Sequence, residues 1–143
     1  MTLCIAILRI ALLVGLLPGA IAPALADEPD DLDCIHPTST MEIDICMSRE
    51  YERADVELDA TYRRTRAQLL RMEDEDACSA CHGMTDSLVE AQRHWVAFRD
   101  NDCSAAYALA ADGSGRNQAR FGCLIGHTRT RTRQLITQFD IYD

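Results

Sequence analysis

Residues 88–103 read LVEAQRHWVAFRDNDC. Leu88, Gln92, Trp95, Arg99 and Cys103 recur at spacings of three and four, which is one face of an α-helix. Val89, Val96 and Phe98 lie beside that stripe. Thr85, Asp86 or Ser87 can cap the helix, and Ala105 to Ala111 prolong it with good helix formers. The helix is therefore expected over about residues 87–111, and Asp112-Gly113-Ser114-Gly115 breaks it.

The same period continues on both sides. Upstream, Tyr51, Asp55, Leu58, Tyr62, Thr65 and Leu69 share one stripe in a stretch free of glycine and proline. Thr38, Ser39 and Thr40 supply a start signal after Pro37, and Glu42 and Asp44 suit the first turns. A first helix is expected over about 40–72. The acidic run Glu73 to Asp76 opposes a helix C-terminus and reads as its stop, leaving a loop over 73–86 with Gly83 as its glycine. Downstream, Phe121, Leu124, Thr128, Leu135 and Phe139 mark a third helix over about 116–139. Gly122 and Gly126 weaken its start or admit another backbone. No strand-like alternation of useful length is present. The fold class is all-α. Short loops make the helices antiparallel neighbours, as a three-helix bundle or as an α-hairpin with a third packed helix.

Several inward positions on these stripes are polar. Asp55, Gln92, Arg99 and Arg131 must find partners, because an unpaired buried charge is very costly. Antiparallel packing brings Asp55 level with Arg99, so a contact between them is expected, with Gln92 or Tyr62 donating. Such a pair serves as a site or as a structural ion pair that fixes register, and the structural role is the simpler reading. Trp95 reads as core. No serine–histidine–acid order stands out and no carboxylate pair can be singled out, so no enzyme and no catalytic residue is expected.

Residues 1–26 have the form of a secretory leader. Arg9 is the only charge before Asp27, an apolar run spans Ile10 to Leu17, and Ala24-Leu25-Ala26 has the small-x-small cleavage form. The weakly basic start leaves an uncleaved amphipathic anchor as the alternative. The apolar core is too short for a stable span, so no membrane association is expected after cleavage, and the chain is expected to be periplasmic or secreted. Residues 27–38 form an acidic N-terminal tail, and 39–143 form the helical domain. Cleavage removes one arginine and no acid, taking the formal charge from −9 to −10. All 14 basic residues are arginine, so lysine chemistries are absent. The acidic balance argues against nucleic acid, which needs a basic face.

Of seven cysteines, Cys4 leaves with the leader and six remain in an oxidising compartment, where disulfides are the default. Antiparallel helices place Cys34, Cys46, Cys103 and Cys123 at one end and Cys78 and Cys81 in the opposite loop. Three pairings of the four remain, beside a local Cys78–Cys81 clip. Cys34–Cys46 with Cys103–Cys123 is preferred, because Cys46 lies about 140° around the helix from Tyr51, where a segment running back along the outside can meet it. Crossed pairings stay open. Cys78-Ser79-Ala80-Cys81-His82 also fits C-x-x-C-H, the haem c attachment signature. Against haem stand the acidic flank, the absence of a methionine after Met84 and the lack of an evident cavity. His94 and His127 are the candidate second ligands, and both are expected at helix surfaces. A redox pair or metal binding is a further alternative. A four-thiolate zinc site is not expected, since the other thiols lie at the far end, and the preferred reading has no metal.

Together these residues resemble a known family. Cys34 and Cys46 open the pattern, with Glu42 between them. Ala54-Asp55-x-x-Leu58-x-x-x-Tyr62 follows, then Leu88-x-x-x-Gln92-x-x-Trp95-x-x-x-Arg99-Asp100-x-x-Cys103, then Gly113-Ser114, Cys123, Thr128, Arg131 and Leu135. This is similar to the lysozyme inhibitor LprI-like family of exported bacterial proteins, over about residues 34–137. The resemblance implies a helical, disulfide-bonded, extracytoplasmic protein and a lysozyme, or another basic protein, as partner. An acidic chain would be steered toward such a partner. Inhibition would need a loop in the glycan cleft, and those at 73–86 and 112–116 are the candidates. The Cys78–His82 motif lies outside the shared pattern. The lipoprotein cysteine is missing, so this member is expected to be soluble.

Overall fold

Ser39 starts the first helix. Its hydroxyl accepts from the Glu42 backbone N–H at 3.2 Å, and the Glu42 carboxylate accepts in turn from the Thr38 hydroxyl at 2.9 Å and from its backbone N–H. One orphan donor of the first turn and the N–H of the residue before the cap are thereby satisfied reciprocally. A computed structural model describes residues 32–75 and 81–139. The leader, residues 27–31 of the acidic tail, residues 76–80 with Cys78, and the last four residues lie outside them.

Three helices make up the described residues: α1 (Thr40–Asp74), α2 (Met84–Leu109) and α3 (Arg116–Phe139). α1 outlasts the expected stop at residue 72 and includes Glu73 and Asp74. The acidic run does not end the helix, because Glu73 finds a partner elsewhere. Its carboxylate accepts from the Thr85 backbone N–H at 3.1 Å, in the first turn of α2. An acid disfavoured by the end of its own helix is thus favoured by the start of the next. α2 begins earlier than expected, and none of Thr85, Asp86 or Ser87 is its cap. Gly83 occupies that position with φ of 78°, a left-handed conformation that glycine adopts without strain. α2 ends at Leu109, two residues short of the expected end.

α3 packs along both other helices, while α1 and α2 touch sparsely. α1 and α3 run in the same direction: Asn117 Nδ2 donates to Asp44 Oδ2 at 2.7 Å near their starts, and Gln68 Nε2 donates to the Phe139 carbonyl at 3.3 Å near their ends. α2 is antiparallel to both. The apolar core sits toward the α1–α2 connection, where Leu58, Leu69, Leu88 and Leu135 cluster with Tyr62, Met72, Met84, Trp95 and Phe139 against them.

Four buried threonines fill the α1 and α3 faces: Thr61, Thr65, Thr128 and Thr132. The Thr65 hydroxyl donates to the Thr61 carbonyl and that of Thr132 to the Thr128 carbonyl. Each of these two hydroxyls is satisfied within its own helix, so it can be buried without a partner across the interface. Of the two readings of Gly122 and Gly126, close approach by another backbone does not occur. A methyl group at Gly126 would meet nothing within 4 Å, and one at Gly122 would meet only the Met47 side chain at 3.7 Å.

Candidate functional site

Two disulfides staple the end formed by the start of α1, the end of α2 and the start of α3. Cys34 joins Cys46, and Cys103 joins Cys123. Cys46 reaches a segment running back outside α1. Cys103 is fully buried and faces α3.

Arg99 lies one turn inward from Cys103 and is only 7% exposed. Its Nη1 donates to Asp55 Oδ1 at 3.0 Å and to the Thr128 hydroxyl at 3.4 Å, and its Nε donates to Asp100 Oδ1 at 2.9 Å. The guanidinium also lies 5.2 Å from the Trp95 ring centroid and 5.6 Å from that of Tyr51, within cation–π range. Burial alone would weaken its hold on the proton. Hydrogen bonding to Asp100, followed by the fields of Tyr51 and Asp100 and the bond to Asp55, raises its pKa overall. The same burial pushes the Tyr51 hydroxyl pKa up. One cation therefore ties α1, α2 and α3 together at one level.

The expected donors to Asp55 go elsewhere. Gln92 accepts from Arg131 Nε at 3.0 Å, and Tyr62 packs in the apolar cluster. Each lies seven residues, or two turns, from its supposed level, about 10 Å along the axis and beyond hydrogen-bond reach. Instead Asp100 and Thr128 join the pair from the other side, both accepting from Arg99. Asp100 follows Arg99 directly in the sequence, and Thr128 stands on the stripe of the third helix. Trp95 is half-buried at the edge of the core.

Beyond this knot, α2 and α3 form a hairpin that closes through Ala110–Gly115. The Cys103–Cys123 bond spans its base. Arg116 lies 5.6 Å over the Tyr107 ring on the two sides of the turn. His127 is half-buried, with Nε2 2.8 Å from Asp102 Oδ2 and its ring edge-on to Phe98 at 5.4 Å. The structure thus places His127 against a partner rather than on an open surface, while His94 is exposed. Cys103, Cys123 and His127 bring ligand-type atoms within 4.8 Å of one another. Both sulfurs are committed to the disulfide, so the trio offers no thiolate pair. Leu109, next to the turn, is 91% exposed, and Ile35 and Met41 are exposed at the same end of the bundle.

With the paired cysteines and the Asp55–Arg99–Trp95 constellation in place, comparison with known proteins is decisive. The family described as Lysozyme inhibitor LprI matches residues 34–135. The chain belongs to the LprI family. A protein of Rhizobium meliloti (strain 1021), named only as uncharacterized, is 37% identical over 124 residues, 85% of this chain and 88% of its own length. No solved structure matches. The LprI match contains every disulfide cysteine named above and the whole Arg99 knot.

The Cys78–His82 motif lies at the opposite end. Cys81 is buried and disulfide-bonded, His82 is exposed, and Cys78 is outside the described residues. Haem attachment through thioethers would consume the Cys81 sulfur that the structure places in a disulfide.

Proposed function

We propose that this chain is an exported binding protein, not an enzyme, that inhibits a lysozyme by occluding its glycan cleft. It works in the periplasm or outside the cell, unattached to membrane after leader cleavage, without nucleic acid and without a cofactor. The observation that carries the reading is the disulfide-closed α2–α3 hairpin of an LprI family member, with Leu109 projecting beside its turn.

An element that enters a cleft must be narrow, preorganised and able to bury an apolar side chain. The Ala110–Gly115 turn meets these needs. Its base is cross-linked, and the Arg99 knot and the Tyr107–Arg116 stack hold both arms. Leu109 supplies an apolar anchor that has no burial in the free chain. The acidic chain, with a formal charge of −9, favours approach to a basic lysozyme. The other candidate loop shrinks to residues 75–83 between α1 and α2, and it lacks an exposed apolar side chain among its described residues.

The test is cell-wall lysis followed by turbidity, with the mature chain in molar excess over lysozymes of several types. Slowed lysis with at least one type is expected. Unchanged lysis with all of them would overturn the reading.

A further inference from the structure

Two arginines turn inward, and they are compensated differently. Arg99 meets two carboxylates. Arg131, on α3, meets none. Its Nε donates to the neutral amide oxygen of Gln92 at 3.0 Å, and no described carboxylate lies within ion-pair distance of it. Burial pushes its pKa down, with no opposing contribution from a counter-charge. A cation removed from water without an anion is costly, and the described residues supply none there.

Arg131 also lines a cavity. It lies between the first turns of α2 and the last turns of α3 and has a volume of about 510 Å³. Met84, Leu88, Ala91 and Phe139 give it an apolar wall, and Ser87 and Gln138 are polar groups beside it. A concave apolar space of this size with a few convergent polar groups is the usual form of a small-molecule site. The guanidinium fork suits a carboxylate through two parallel hydrogen bonds, and Nε, already used by Gln92, leaves both Nη groups for that purpose.

We propose that this cavity binds a small carboxylate carried on an apolar body, with the acid on Arg131 and the body against Leu88 and Phe139. Ligand entry supplies a charge that Arg131 does not meet among the described residues. The site is at the end opposite the α2–α3 turn, so it does not depend on lysozyme inhibition. Two sources share this chemistry, a medium-chain fatty acid and the C-terminal residue of an apolar peptide.

The experiment titrates the mature chain with octanoate, with N-acetyl-leucyl-leucine and with octanol, read by amide chemical shifts in NMR. Saturable binding of at least one acid is expected, with shifts at Leu88 and Phe139. Octanol should bind at least about tenfold more weakly, a difference of about 1.4 kcal/mol. Arg131→Gln should weaken the acid by a similar factor and Arg131→Lys by less. Ala91→Trp, at an exposed position on the wall, narrows the cavity, leaves Arg131 in place and should also weaken binding. The acid that binds identifies the source. No saturable binding of either acid to the wild-type chain would overturn the proposal, as would affinity unchanged in both folded Arg131→Gln and Ala91→Trp.

Discussion

Arg99 sets one buried charge against two carboxylates that are themselves about half exposed, 50% for Asp55 and 52% for Asp100. The carboxylates can return to water if the arginine is lost, whereas the arginine cannot if they are. Arg99→Met also removes contacts with Trp95 and Tyr51, and it is expected to destabilise the chain by roughly 3 kcal/mol in urea unfolding. Asp55→Asn keeps a neutral acceptor, leaves Asp100 in place and should cost about 1 kcal/mol. Gly126→Ala should stabilise by about 0.5–1 kcal/mol, because a methyl group there meets nothing and helix propensity rises. The Asp55–Arg99 contact was legible because each charge stands on an apolar stripe and antiparallel helices bring the stripes level. The Gln92–Arg131 pair was not, since α3 had to be placed before Gln92 could be assigned a partner.

At the scale of the elements, the buried positions of α1 are Ala54, Leu58, Thr61, Thr65 and Leu69, a run at spacings of four and three. The stripe read from Tyr51, Asp55 and Tyr62 is its neighbour, displaced toward α2. Threonine carries little hydropathy, so Thr61 and Thr132 gave no apolar signal. Their spacing of four from Thr65 and Thr128 was the clue. Thr65→Val should cost about 0.5–1.5 kcal/mol, the net worth of the one hydrogen bond that the hydroxyl makes within α1, whereas Thr65→Leu should cost about 1–3 kcal/mol through overpacking at a fully buried position. Helix starts were read from local side chains, which succeeded for Ser39 and failed for α2, where the partner of Thr85 is Glu73, twelve residues away. The Glu42 and Glu73 carboxyls both lie below their ordinary value of 4.5, chiefly through the backbone N–H groups of Thr38 and Thr85. The folded chain therefore binds these protons more weakly than the unfolded chain. Their contribution is complete above about pH 4.5 and is lost as pH falls through the lower folded values. The urea midpoint should drop on acidification below that point, and Glu73→Gln with Glu42→Gln should flatten the drop.

For the whole molecule, the cysteines and the direction of each helix define two ends with different work. One end is stapled twice, closing loops with sequence separations of 12 and 20 residues. Each bond constrains the unfolded chain by about 3 kcal/mol in the chain-entropy view. The paired Cys103→Ser and Cys123→Ser variant should lose roughly that amount in denaturant unfolding and should free the hairpin that carries Leu109. The other end holds the Cys81 bond, which lies outside the family pattern, and the Arg131 cavity, whose Leu88 and Arg131 belong to it. Sequence spacing revealed the two ends but not the partner, because exposure of Leu109 depends on where α2 stops. The most direct measurement is lysozyme inhibition by Leu109→Asp beside Val56→Asp, an equally apolar exposed position on the side of α1. Leu109→Asp should raise the inhibitory concentration at least about tenfold, or about 1.4 kcal/mol, while Val56→Asp leaves it unchanged. Equal inhibition by Leu109→Asp and the wild-type chain would contradict the account.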